Sequence, residues 1–220
     1  MPVPVQPSRS LPHKLSVSRQ QQRTDATRAK LLSAAEHIFA KDGFEASRLE
    51  DIAAEAGYTR GAFYANFESK EDLLFALMER LVAERVEEIR TMLERHNSPA
   101  DRIRALRDYY AQLACNRRWA LLLLEFKLFA VRHPEARARL VERYRRLRAP
   151  GRELFESVLR QLDRKLPVSS NAATIGLSAL SNALLLENVL DPRALAPDEL
   201  QFLLGLFFDA LIGSRTAAIP

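Results

Sequence analysis

Residues 47–73, SRLEDIAAEAGYTRGAFYANFESKEDL, constrain this chain more than any other stretch. They spell two short helices, a tight turn between them and the capped start of a third. Ser47 with Glu50 fits the S-x-x-E capping box, in which each side chain satisfies an unpaired backbone N–H at a helix start. Leu49, Ile52, Ala53 and Ala56 fall at helical spacing. Gly57 follows where a helix ending in a left-handed residue favours glycine. Ala53 matters by its small size, because bulk there would push the next helix away. Thr59 is the expected cap of the second helix and Phe63 its inward anchor. Thr59, Arg60, Gly61, Ala62 and Tyr64 are left to its start and outer face. Phe67 closes the small core, and Ser69, with Asp72 three residues on, caps the next helix. A pair of helices joined this way places its second member in the major groove of DNA. An αα-hairpin inside a bundle carries the same signals one at a time. Their joint occurrence favours the DNA-binding arrangement.

Composition points to an all-α protein. With 47% hydrophobic and 28% charged residues over 220, the chain can bury a core in one or two domains. Glycines number only 7, and Leu, Ala, Arg and Glu dominate over β-branched residues. Cys115 is the single cysteine, so no intrachain disulfide can form, and its apolar setting suits a buried small hydrophobe. Catalytic chemistry finds no foothold. His13, His37, His96 and His133 fall in separate elements without metal-ligand spacing. There is no Gly-rich phosphate loop, and Cys115 has no base beside it in sequence. No enzyme activity, metal or cofactor is expected. An all-α enzyme and a helical protein-interaction adaptor remain the alternatives from other classes. The adaptor leaves the exposed Thr59-Arg60-Gly61 opening without a purpose.

Residues 1–31 hold Arg9, Lys14, Arg19, Arg23, Arg28 and Lys30 against Asp25 alone, which accounts for the whole net charge of +5. A basic arm ahead of a DNA-binding element suits phosphate contact. The stretch MPVPVQPSRSLPHKLSVSRQQQ is rich in Pro, Ser and Gln without periodicity, so residues 1–23 read as a disordered extension. It holds no apolar run of signal-peptide length, and a cytoplasmic location is expected.

From Thr27 to Leu74 the chain resembles the DNA-binding domain of the TetR family of bacterial transcriptional regulators. Thr27, Arg28, Leu31, Leu32, Ala34, Ala35 and Phe39 look like the family's first helix, ended by Gly43-Phe44. Ile52, Ala53, Ala56 and Gly57 match the second helix and turn. Gly61, Phe63, Tyr64, Phe67, Ser69, Lys70, Glu71 and Leu73 match the third helix and the start of the fourth. Asn66 departs from the pattern, which more often has a larger ring there. The N-terminal extension is a second departure. The resemblance implies a three-helix DNA-binding domain, a helical body that takes a small effector, and a dimer formed by the last two helices. The organisation expected is residues 24–69 for the helix-turn-helix domain, 70–96 for a connecting helix and 97–220 for the effector-binding and dimerisation domain, about nine helices in all.

Base or phosphate contacts are expected from Thr59, Arg60, Gly61, Ala62 and Tyr64, with Arg60 able to read guanine. Ser47, Arg48 and Lys70 stand at helix starts, where N–H groups and positive charge favour phosphate. In the body, Asn97-Ser98-Pro99 separates two helices, and 117–132 is apolar nearly all round, as a buried helix is. Glu125 and Lys127 interrupt that run too early for a membrane span. Pro150-Gly151 is expected to kink or split the helix that follows. The Arg-rich run from Arg137 to Arg152 spreads around its helix and reads as solvated, paired with Glu135, Glu142 and Glu153, with an anionic partner as the minor reading. Tyr109, Tyr110, Leu113, Trp119, Leu122, Leu123, Phe126 and Phe129 are the candidate effector pocket, whose aromatic and aliphatic character favours a lipophilic molecule. Ile175, Ala179, Leu180, Leu184, Phe202, Leu206, Phe207 and Leu211 are the candidate dimer face, small residues on one helix meeting bulky ones on the next. The function expected is a sequence-specific transcriptional regulator, a repressor that binds a palindromic operator on double-stranded DNA as a homodimer and is released by a small-molecule effector, with no membrane partner.

Overall fold

The computed structural model describes residues 19–113, 116–161 and 166–213. Among them the chain is helical throughout: α1 (Arg19–Asp42), α2 (Leu49–Glu55), α3 (Arg60–Tyr64), α4 (Lys70–Glu94), α5 (Pro99–Leu113), α6 (Arg117–Arg132), α7 (Pro134–Gln161), α8 (Ser170–Leu190) and α9 (Pro197–Gly213). Residues 1–18 and Cys115 lie outside the described residues.

The helix starts read from sequence act through named bonds. Thr59 accepts from Ala62 N–H, Ser69 from Asp72 N–H and Ser98 from Asp101 N–H, so each of α3, α4 and α5 starts with one orphan donor satisfied. Gly57 adopts φ +76° and Gly43 φ +82°, the left-handed region where side chains are strained.

Three expectations change. The Ser47 capping box does not form: Arg48 is the N-cap of α2, with no side-chain cap bond. Ser47 is instead buried, and its hydroxyl donates to Phe44 O at 2.8 Å. The local turn competes for the hydroxyl and wins because it satisfies a buried carbonyl. Residues 19–23 belong to α1 and not to an extension. The glutamines there are good helix formers, and Gln21 Nε2 donates to Asp25 Oδ1 at 2.9 Å, a bond between neighbours on one helix face. Finally, α7 runs unbroken through Pro150. Proline removes one N–H from the ladder, but Phe155, Val158 and Leu159 are buried beyond it, and that packing keeps the helix in place.

Packing divides the apolar residues into two main groups. The first joins Leu31, Phe39, Ile52, Phe63 and Phe67 of the head to Leu73, Leu74 and Leu77 of α4, and then to Leu123, Phe126 and Phe129 of α6. The second holds Ile89 and Leu93 of α4 with Leu106, Phe155, Leu177 and Phe208 of the body. Two helices, α4 and α7, therefore sit in both cores, α7 through Leu140 in the first and Phe155, Val158 and Leu159 in the second. Helices α5 and α9 lie against each other, and Gly205 leaves room for Arg107 to cross α9 and pair with Asp209 at 2.9 Å.

Candidate nucleic-acid interface and internal cavity

The outer face of α3 is open. Thr59, Arg60, Gly61 and Tyr64 are exposed, Ala62 is half-buried, and Phe63 alone faces the core. An alanine at Gly61 would meet only Thr59 Oγ1 at 3.7 Å, so nothing inside the protein demands glycine there. Its bareness instead leaves α3 free to lie against an outside surface. Arg60 is folded back: its guanidinium is 3.0 Å from Glu50 Oε1, 3.5 Å from the Tyr64 hydroxyl and above the Tyr64 ring. The Tyr64 hydroxyl first, and Glu50 after it, hold its pKa above the ordinary value. An exposed pair of this kind is weak, so a base edge can displace it. Asn66 turns inward and donates to Ala62 O at 2.8 Å, closing the end of α3.

The helix-start residues divide. Arg48 is exposed. Lys70 donates to Phe44 O at 2.7 Å, Glu45 O at 3.2 Å and Ser47 O at 2.9 Å, and its ammonium stands 4.6 Å from the Phe44 ring centroid. All three ammonium donors are thus committed to the loop between α1 and α2. The geometry gives Ser47 and Lys70 the task of shaping that loop.

Body helices grip the same loop. Glu125 of α6 accepts from Phe44 N–H at 2.8 Å, and the Phe44 ring packs edge-on against Phe129, 4.9 Å between centroids. His133, between α6 and α7, reaches Glu45 and Glu135 at 3.2 Å each, and these bonds raise its pKa, the Glu45 contact most. On the far side, Glu36 of α1 pairs with Arg80 of α4 and Arg118 of α6. Arg143 of α7 lies over Phe75 and pairs with Glu79 at 3.0 Å.

The candidate pocket residues do not all come together. Tyr109, Tyr110, Trp119 and Leu123 line a half-open cavity of about 130 Å³ between α4, α5, α6, α7 and α8. Leu122 lines a neighbouring cavity of about 270 Å³ that shares Arg85, Tyr109 and Trp119 with the first. Phe126 and Phe129 line neither. They pack against Phe75 and Phe44, in the core that joins body to head. An all-round apolar helix does not announce which face looks where, so sequence put all of α6 in the pocket. Leu113 lies in α5, but its side chain is outside the described residues. Burial raises the phenol of Tyr109, and that of Tyr110 to about 12, so both stay protonated as donors. Sequence reasoning missed the wall supplied by α4 and α7: Val82, Arg85, Val86 and Ile89, and Tyr144, Arg148 and Arg152. Their signal was the four-residue spacing Tyr144, Arg148, Arg152 and Arg85, Ile89, which places each set on one helix face.

The last two helices leave an apolar face uncovered. Phe202, Leu206 and Phe207 are 65%, 53% and 47% exposed, and Ile175 is 42% exposed beside exposed Ala172, Gly176, Ala179 and Ala183. Leu180, Leu184 and Leu211 are half-buried and pack inward within the protomer. Among the described residues, no group of three or more His, Cys, Asp or Glu is placed to hold a metal ion.

Two family models match the chain. Residues 31–77 match "bacterial regulatory proteins, tetR family", and residues 99–213 match "BetI-type transcriptional repressor, C-terminal". The HTH-type transcriptional regulator TtgR of Pseudomonas putida is 43% identical over 65 residues, 30% of this chain and 31% of that regulator. The chain thus spans about a third of that relative's length. Among solved structures, NalD, the secondary repressor of the MexAB-OprM multidrug efflux pump in Pseudomonas aeruginosa, has TM-score 0.60 and 26% identity over 88% of this chain and 99% of its own. A regulator from Rhodococcus sp. has TM-score 0.68 and 18% identity over 86% and 99% of the two chains, a likeness of fold.

Proposed function

The chain belongs to the TetR family of bacterial regulatory proteins, and on that premise we propose that it works in the cytoplasm as a repressor, two copies of which hold a palindromic operator until a small molecule enters the body. The observation that carries this reading is the bare outer face of α3, where Thr59, Arg60, Gly61 and Tyr64 stand exposed above a locked core. A helix of 5 residues offers few base contacts, each worth about 1–3 kcal/mol, so a second copy on a symmetric half-site is what makes the site specific.

The uncovered face of α8 and α9 supports the two-fold partner. By length and composition alone α8 could cross a membrane. Its exposed stripe, however, is mostly small residues beside the protruding Phe202 and Phe207 of α9. Small residues facing large ones let helices of two copies interlock in a four-helix contact. Contact with operator phosphates falls to Arg48 and the helix starts, and base reading to Arg60 with Gly61 and Tyr64 beside it.

Release follows from the position of α4. Its N-terminal half belongs to the head's core, and its C-terminal half lines the cavity through Val82, Arg85, Val86 and Ile89. A molecule that fits better with one setting of α4 shifts the population toward that setting, and with it the separation of the two heads. Operator half-sites present their major grooves about 34–36 Å apart, which makes head separation a strict condition for binding.

Selection of bound sequences from random duplex DNA tests the reading. The expected result is an enriched inverted repeat, and a reporter carrying it falls silent when the protein is expressed. Recovery of no enriched sequence would remove the DNA-binding function, and increased reporter output would reverse the sign of regulation.

A further inference from the structure

We propose that the inner cavity takes an amphipathic anion, an aliphatic or aromatic body carrying one acid group, with the acid held by Arg148 and Arg85. This rests on the effector reading of that cavity. The first support is the charge of the wall. Arg85 from α4 and Arg148 and Arg152 from α7 line it, and no Asp or Glu does. Arg152 has Glu156 at 3.8 Å. Arg85 is stacked on Trp119, its guanidinium carbon 4.0 Å from the ring centroid, and burial holds its pKa below the usual value. Among the described residues no carboxylate pairs with Arg148, which lies half-buried over the Tyr144 ring.

A guanidinium withdrawn from water without a counter-charge is destabilising, and buried charges in proteins are otherwise paired. Here the positive charge is reinforced. The Lys127 side chain, exposed on α6 and outside the cavity lining, has its pKa lowered by partial desolvation of its ammonium first and by the nearby Arg148 charge second. An acid group arriving beside Arg148 supplies the missing partner in a charge-assisted, two-pronged contact that suits a guanidinium.

The remaining walls sort the rest of the molecule. Val86, Ile89, Tyr110, Trp119 and Leu123 offer apolar surface for the body. On the α8 wall most polar groups are turned to their own helix, and Ser178 is the remaining hydroxyl there. Thr174 Oγ1 donates to Ser170 O, Ser181 Oγ to Leu177 O, and Asn182 Nδ2 to Ser178 O, all within their own helix. The neighbouring cavity has the opposite character, since Glu36, Glu84 and Glu88 line it with Arg85 and Arg118. The Arg85–Trp119 stack is the shared wall, so the sign of the lining changes across one residue pair.

Trp119 is the single tryptophan and reports occupancy directly. The test titrates the full chain with decanoate, decan-1-ol and decyltrimethylammonium, which share a chain and differ in charge, and follows Trp119 emission. Decanoate is expected to bind about tenfold tighter than the alcohol, with the ammonium weaker than both. Arg148→Gln should remove the carboxylate's advantage and leave the alcohol's affinity unchanged, and Arg148→Lys should restore most of it. An alcohol or ammonium that binds as tightly as decanoate, or no emission change with any of the three, overturns the proposal. The effector reading is tested separately by adding decanoate to the protein–operator complex. Arg148-dependent binding that leaves the complex intact would support the ligand class and defeat the effector role.

Discussion

Replacing Gly43 by alanine measures how firmly the body holds the DNA-binding head. Gly43 has φ +82°, and a Cβ built on it would sit 3.3 Å from Glu125 Oε1. Gly57 has φ +76° with nothing within 4 Å of the same Cβ. At Gly57 the cost of alanine is therefore conformational alone, about 1–2 kcal/mol for a left-handed residue. At Gly43 the same cost applies, and the carboxylate must also retreat. Its other oxygen accepts from Phe44 N–H at 2.8 Å, so retreat stretches or breaks a charge-assisted bond to a buried donor. Such a bond contributes about 1.5–3 kcal/mol. The difference between Gly43→Ala and Gly57→Ala should thus be positive and reach at most about 1.5–3 kcal/mol, the whole of that bond, read from urea midpoints at one protein concentration with a common slope. Glu125→Ala makes the same bond unavailable beforehand. In that background Gly43→Ala should cost only what Gly57→Ala costs. A coupling between positions 43 and 125 below about 0.5 kcal/mol, the scatter expected of independent sites, would refute the reasoning.

Other expected outcomes follow from the same geometry. Arg60→Ala should weaken operator binding by about 1–3 kcal/mol and relax preference at one base pair per half-site, measured by repeating the sequence selection. Lys70→Met unties the loop from α4 and should weaken all operators alike, with preference intact, in a panel of mobility shifts. Phe202→Glu with Phe207→Glu places unpaired charge on the uncovered face, and sedimentation at micromolar concentration should then show monomer where the parent shows dimer. His133 is raised by Glu45, so its stabilisation is complete below the ordinary value of 6.5 and is lost as pH rises through the raised one. The stability gap between the parent and His133→Gln should close across that window, and a gap independent of pH would contradict the assignment.

The helix order and most stops were legible because they depend on neighbours in sequence. Thr59, Ser69 and Ser98 cap as their spacing indicates. Ser47 misled because a competing acceptor, Phe44 O, lies just upstream and buried. Pro150 does not split α7, because its cost is local while the packing that outweighs it comes from distant helices. In the body, sequence showed that α6 is buried but not by what. Leu123 faces the cavity while Phe126 and Phe129 face the head. Arg148 was counted with the solvated arginines of its run. Only the approach of α4 and α6 shows that it lacks an acidic neighbour.

The apolar group around Phe63 does not stop where the head stops. It passes through Leu74 and Leu77 of α4 to Leu123 and Phe126 of α6. A graft that moved residues 19–69 onto another regulator would leave those side chains facing a foreign surface. Exchangeable parts would have to be cut elsewhere, keeping α6 and the Glu125 contact with the head they serve. New operator preferences can instead be installed from outside, on the open side of α3, where Arg60 and Gly61 can change without disturbing a buried neighbour, while Tyr64 keeps its edge-on contact with Phe63.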